Sequence, residues 1–318
     1  MRKMNKINTK KKMERFIRHF IRDWRLYVLI AIPLAYLIIF SYFPMYGVQI
    51  AFRDFRPKLG ITGSEWVGLK WFKQFLGDRQ FVSVFSNTVI LSLYSLFASF
   101  PLPVIFALTL NCLTNDKYKK TVQTIAYLPH FISTTVMVSI VTMLLSPVCG
   151  AYGNLFRLFG GEGYPVDFRA TAGAFRHLYV WSGVWQNLGW SSIIYTSALS
   201  AVSMELHEAA MIDGATRFKR VIHIDIPTIL PTIGMMFLMK VTELIGVGFE
   251  KAYMLQSKLN LSTSEVLSTY TYKYGMSSFR DYSFGSAVGL FNTLVNLMLL
   301  LIANTITKKA SDGEISLF

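Results

Sequence analysis

The sequence predicts an all-α polytopic membrane protein with six transmembrane helices and both termini cytoplasmic. Three observations lead there. Of 318 residues, 53% are hydrophobic and only 16% charged, whereas a soluble domain carries about a quarter charged residues. Six apolar stretches each reach the length needed to cross a hydrocarbon core, about 20 residues. Lysines and arginines gather at alternate ends of these stretches, and the segments holding such an excess are the cytoplasmic ones.

The spans fall at Leu26–Tyr46, Phe85–Asn111, Thr121–Leu145, Leu178–Val202, Thr228–Phe249 and Phe284–Thr305. Pro101 and Pro103 predict a kink in the second, because proline removes a helical hydrogen bond. Gln186, Asn187 and several serines make the fourth the most polar. Three regions result: a basic cytoplasmic tail at 1–25, a six-helix membrane domain at 26–307, and a short cytoplasmic tail at 308–318. Residues 1–25 hold ten lysines and arginines against Glu14 and Asp23. Alternation then puts Lys117, Lys119 and Lys120 inside. Arg217, Lys219 and Arg220 of a connector at 205–231 follow, and then Lys308 and Lys309. The first outer loop is mixed in charge, which weakens the rule without reversing it.

The net charge of +14 adjoins the first span rather than a folded face, so anionic lipid headgroups explain it better than nucleic acid. Met13, Phe16, Ile17, Phe20 and Ile21 recur at helical spacing between arginines. A helix lying at the bilayer interface and a helix packed on a partner subunit fit this pattern equally. No secretory signal is apparent, since the first span is too long for one and no small-residue cleavage site follows.

No enzyme or metal site emerges. His19, His130, His177, His207 and His223 do not fall at ligand spacing, and no zinc-protease, nucleophile-elbow or phosphate-loop motif is present. Cys112 and Cys149 lie at opposite membrane faces on this topology and cannot pair.

The connector is the most legible segment. Glu205–Asp213 is helix-prone, and Ala209 and Ala210 leave a low-relief surface on it. Gly214 can adopt the left-handed conformation that ends a helix, Thr216 starts a second one, and Arg217, Lys219 and Arg220 give that helix a basic face. Pro227 and Pro231 mark the return to the membrane. Most connections need only a few residues, so this segment has another task.

The run Glu208-Ala209-Ala210, then Gly214, Ile224 and Pro227, resembles the cytoplasmic "EAA" loop of permease subunits from ATP-binding-cassette (ABC) importers. Trp66 to Phe72, Asn87-Thr88, Tyr127-Leu128-Pro129 and Asn292 to Asn304 extend the resemblance over residues 25–307. The wording Tyr127 to Ser133, with Ser268 to Tyr272, is similar to the branch that imports oligosaccharides and polysaccharide fragments. The resemblance implies a type I importer architecture whose connector docks in a groove of an ATPase subunit. Glu208 would be the polar contact, Ala209 and Ala210 the close-packed surface, and Gly214 the turn, with Asp213 and Arg217 beside it. Further implied partners are a second permease (a related, non-identical chain), two ATPase subunits, an extracytoplasmic solute-binding protein, a carbohydrate substrate and the lipid bilayer. No cofactor is expected on this chain. ATP and Mg²⁺ belong to the ATPase.

Candidate path residues are Trp185, Gln186, Asn187, Lys240 and Glu243. Lys240 and Glu243 are spaced to pair on one helical face. Charges inside a span face protein or a water-filled path, so the two line the path or form a self-neutralising structural pair. Trp181, Trp185, Trp190 and the tyrosines of 253–282 fit either sugar stacking or an interfacial aromatic belt. The alternative function is an ion-gradient-driven secondary carrier or channel, which favours inverted repeats and a carboxylate relay. No convincing repeat is visible, and Glu243 is the single acid within a span.

Overall fold

The computed structural model describes residues 22–242, 246–277 and 280–310. The amphipathic segment ending at Ile21, Glu243 of the candidate path and the last eight residues lie outside them. The chain divides between Gly68 and Leu69 into two units.

The first unit is led by an apolar helical run, Trp24–Phe52, none of whose most apolar stretch is buried. A helix apolar all round is a membrane span or a core element, and exposure of its side chains leaves the first. The run slips into a π turn at Ile38–Tyr42, where the Phe43 N–H bonds the Ile38 carbonyl. Pro44 follows at once. It has no N–H to offer, and the wider turn before it absorbs that loss. After the helix, β1 (Arg53–Asp54) pairs antiparallel with β2 (Glu65–Trp66). Phe52 stacks on Trp66 at 5.5 Å, and the Arg53 guanidinium, above the Trp66 ring, donates to the Ser64 carbonyl at 2.8 Å.

The second unit is built around one 28-residue helix, Ala172–Leu199. At 1.5 Å per residue it measures about 42 Å, enough to cross a bilayer. Its polar side chains keep it outside the set of helices apolar enough to span: Trp24–Phe52, Phe81–Asn111, Arg217–Thr242 and Tyr282–Lys309. The Phe81–Asn111 run breaks only at Phe100, ahead of Pro101 and Pro103. Leu91, Met137, Val138, Phe175, Val184 and Val266 form one buried cluster. Ala107, Tyr195, Leu199 and Ile229 form another. Phe75 and Tyr270, both fully buried, centre an aromatic cluster with Phe81, Phe284 and Phe291.

The third expected span is not straight. It divides into Asp116–Phe131 and Thr134–Leu144, bent by 104°. Pro129 cannot continue the hydrogen-bond ladder, and the Ser133 hydroxyl caps a new helix by accepting from the Val136 N–H at 3.3 Å. Apolar length reads through such a break; direction does not show in it.

The bend rests on the central helix. A Cβ on Gly189 would lie 2.2 Å from the Ala126 carbonyl oxygen, so backbone meets backbone there. Gly189→Ala must push the 116–127 helix away, at about 1–3 kcal/mol for overpacking. The expected result is a lower midpoint of thermal unfolding in detergent. An unchanged midpoint would show that the contact is not tight.

Candidate functional site

The connector folds as two helices around a left-handed turn. Ser203 caps Met204–Ile212 by accepting from the Glu205 N–H at 3.2 Å. Gly214, at φ +76, ends it, and the Ala215 N–H reaches back to the Ala210 carbonyl at 2.8 Å. That six-to-one bond with a left-handed glycine closes the last turn of the helix. Thr216 then caps the next helix through the Lys219 N–H.

The second helix does not stop at Pro227. It runs from Arg217 to Thr242, passing Pro227 and Pro231. A π turn at Val221–Asp225, with the Ile226 N–H bonded to the Val221 carbonyl, precedes Pro227. This is the same spacing of π turn to proline as at Pro44. The prolines, read as boundary marks, are therefore built into one continuous rod.

Glu208, Ala209, Asp213, Gly214 and Arg217 are exposed, while Ala210 is half-buried. Two large apolar side chains stand beside them in solvent: Ile212 is 87% exposed and Phe218 73%. His207, one residue before the Glu-Ala-Ala run, turns the other way. Its Nε2 lies 3.2 Å from Oδ1 of Asp225, which is 2% exposed. One face of the connector is thus tied to the root of the rod, and the other is exposed.

The second feature is a cavity of about 620 Å³. Ser92, Ser95 and Ser99 face it from the 81–99 helix, and His130 and Thr134 from the two sides of the bend. Tyr179, Gly183, Gln186, Asn187 and Trp190 come from the central helix; Lys240 and Lys251 complete the wall. His130 stacks flat on Trp190, 4.4 Å between centroids at 4°.

Of the candidate path residues, Gln186, Asn187 and Lys240 line this cavity and Trp185 does not. Trp185 borders an apolar groove with Trp181, Leu145 and Phe168. Consecutive helical residues diverge by about 100°, so 185, 186 and 187 cannot share one wall. Gln186 Nε2 donates to the Ile132 carbonyl at 2.7 Å, and Asn187 Oδ1 meets His130 Nδ1 at 3.0 Å. Both amides brace the bend. Lys251 was not singled out in the sequence, where it reads as one more loop lysine. Burial lowers its ammonium to about 7. Asn87 and Thr88 carry work the sequence did not disclose: Asn87 Nδ2 donates to the Ser262 carbonyl, and Thr88 Oγ1 accepts from the Leu267 N–H at 2.8 Å. They sew the 81–99 helix to the 261–272 segment. Among the described residues, no group of three His, Cys, Asp or Glu could hold a metal.

Residues 76–309 match the family described as binding-protein-dependent transport system inner membrane component. The chain is 39% identical over 288 residues to Protein LplB of Bacillus subtilis, covering 91% of this chain and 90% of that one. It is 38% identical over 306 residues to the polygalacturonan/rhamnogalacturonan transport system permease protein YteP of the same organism, covering 96% and 94%. A chain of a bacterial alginate ABC transporter, solved in complex with alginate pentasaccharide-bound periplasmic protein, superposes with a TM-score of 0.85. That match is 33% identical and covers 94% of this chain and 99% of the other. The chain therefore belongs to the family of inner-membrane components of binding-protein-dependent transport systems. It has the fold of an ABC importer permease.

His207→Ala leaves the Asp225 carboxylate buried without its imidazole, a loss of about 1–3 kcal/mol. Faster amide exchange over 204–212 should report it. A double-mutant cycle with Asp225→Asn is expected to depart from additivity by more than about 0.5 kcal/mol. Strict additivity would mean that the pair does not hold the connector.

Proposed function

We propose that this chain is one of two permease subunits of an ATP-driven carbohydrate importer, forming half of the translocation path. An extracytoplasmic binding protein delivers the solute. Two ATPase subunits dock on the connectors and hold the ATP and Mg²⁺; this chain contributes no ATP site. Both termini and the 205–231 connector face the cytoplasm, on the charge distribution described above. The relatives supply the solute class: one is named for polygalacturonan and rhamnogalacturonan, another for the acidic polysaccharide alginate. A related, non-identical chain forms the other half of the path.

One observation carries the coupling role. Ile212 and Phe218 are exposed on a charged connector whose second helix is continuous with the rod reaching Lys240 of the cavity wall. Exposed apolar side chains flanked by charge are the composition of a docking patch. A push on the patch moves the cavity end of the same helix, which is how alternating access would be driven. Glu208 would accept a charge-assisted hydrogen bond from the ATPase.

Glu208→Lys tests this in the complete importer. Losing such a bond costs about 1.5–3 kcal/mol, so ATPase docking should weaken by about tenfold or more while the permease still folds. Co-purification and ATP-dependent vesicle uptake both report it. Full ATPase recovery with normal uptake would overturn the assignment, as would uptake that persists without ATP.

A further inference from the structure

Lys251 is placed in an unusual way. It stands on the short helix Phe249–Leu255, anchored by the buried Ala252 and Leu255. Its Nζ lies 4.5 Å from the centroid of the Tyr179 ring, and that ring is itself pinned, its hydroxyl accepting from the Gly248 N–H at 3.0 Å. On the other side is Gly183, where a Cβ would come within 2.7 Å of Nζ. The absent side chain makes room for the ammonium against the central helix. No carboxylate among the described residues comes within ion-pair distance of it. Glu250, its neighbour on the same wall, accepts instead from Thr135 Oγ1 at 2.9 Å.

A desolvated ammonium without a carboxylate is costly. The aromatic face offsets part of that cost. Among the described lining residues the one acid is Glu250, and its carboxylate is turned to Thr135. A group left in this condition on the wall of a cavity of about 620 Å³ is open to an anion entering that cavity. Trp190, with His130 stacked on one face, offers the same cavity a ring for the apolar face of a pyranose.

We infer that Lys251 is the carboxylate-receiving group of this cavity, and that the solute passing through it is an oligosaccharide bearing uronic acids. The inference rests on the cavity being the translocation path. Binding is a charge-assisted hydrogen bond from Nζ to the sugar carboxylate, with Tyr179 holding the ammonium in place between arrivals. Consistent with this, burial alone lowers Lys251 to about 7, and an arriving anion would restore the charged form.

Two measurements test it, with a galacturonate trisaccharide and its fully methyl-esterified form as probes. In the complete importer, Lys251→Gln should cut uptake of the acid by about tenfold or more, the effect of losing one charged hydrogen bond. Uptake of the ester should change less than about twofold. Lys251→Arg should retain most of the acid uptake. Equal losses for both sugars, or none for the acid, would overturn the inference. The second measurement needs no transport. Purified permease is labelled with an amine-reactive reagent near neutral pH, and modification of Lys251 is read by mass spectrometry. The acid should protect Lys251 and the ester should not. If the importer moves neither sugar, protection by the acid still upholds the site, and equal labelling with both sugars rejects it. Lys251→Gln should also unfold no earlier than the parent, because it removes a buried charge rather than an ion pair. A clear drop in its unfolding midpoint would instead give Lys251 a structural role.

Discussion

The close approach of the central helix to the bend carries the rest of the second unit. At Gly189 the Ala172–Leu199 helix comes so near the Ala126 carbonyl that no side chain fits between them. One turn earlier, Gln186 binds the Ile132 carbonyl just past the break. Non-helical backbone within a bilayer survives only where protein or water satisfies it. Gln186 supplies that satisfaction here and Asn187 holds the His130 ring beside it, which accounts for a helix too polar to be an obvious span yet long enough to be one. The cavity is the space this bend opens: His130 and Thr134 stand on either side of it, and Trp190 beneath His130.

A second constraint links that space to the connector. The 217–242 rod contains two prolines and still runs unbroken, because the π turn at 221–225 shifts the hydrogen-bond register just ahead of Pro227. Asp225 in that turn is held by His207 of the preceding helix. The connector is thereby fixed to its span at two points, through the covalent turn at Gly214 and through this polar contact. The π turn before Pro44 in the first unit shows the same remedy. It is a solution to proline in an apolar helix.

Much of this was legible in the sequence. Span positions follow from apolar length, and the connector's turn follows from Gly214 with Thr216 behind it. The Glu208-Ala209-Ala210 run pointed to the family that the comparisons show. What was not legible depended on direction and on long-range meeting. Pro129 and Ser133 look like ordinary members of an apolar run until the bend of 104° separates them. Trp185, Gln186 and Asn187 are path candidates together in the sequence, but helical geometry sends Trp185 to a different groove. Gln186 reaches the Ile132 carbonyl and Asn187 Oδ1 the His130 ring, both at the bend, while Asn187 Nδ2 stays on its own helix at Gly183. His207 and Lys251 carried no local signal at all. Their meaning comes from Asp225, 18 positions on from His207, and from Tyr179 and Gly183, some 70 positions before Lys251. Glu243, paired with Lys240 by spacing, lies outside the described residues.

The central claim is that work enters this chain at the exposed face of the connector. The most direct measurement places a photo-crosslinking residue at 212 or 218 in the intact importer, with Val166 of the 159–171 loop, also exposed, as the control. The account predicts capture of the ATPase subunit from positions 212 and 218 and none from 166. Failure of both connector positions to capture it, or equal capture from 166, would contradict the account.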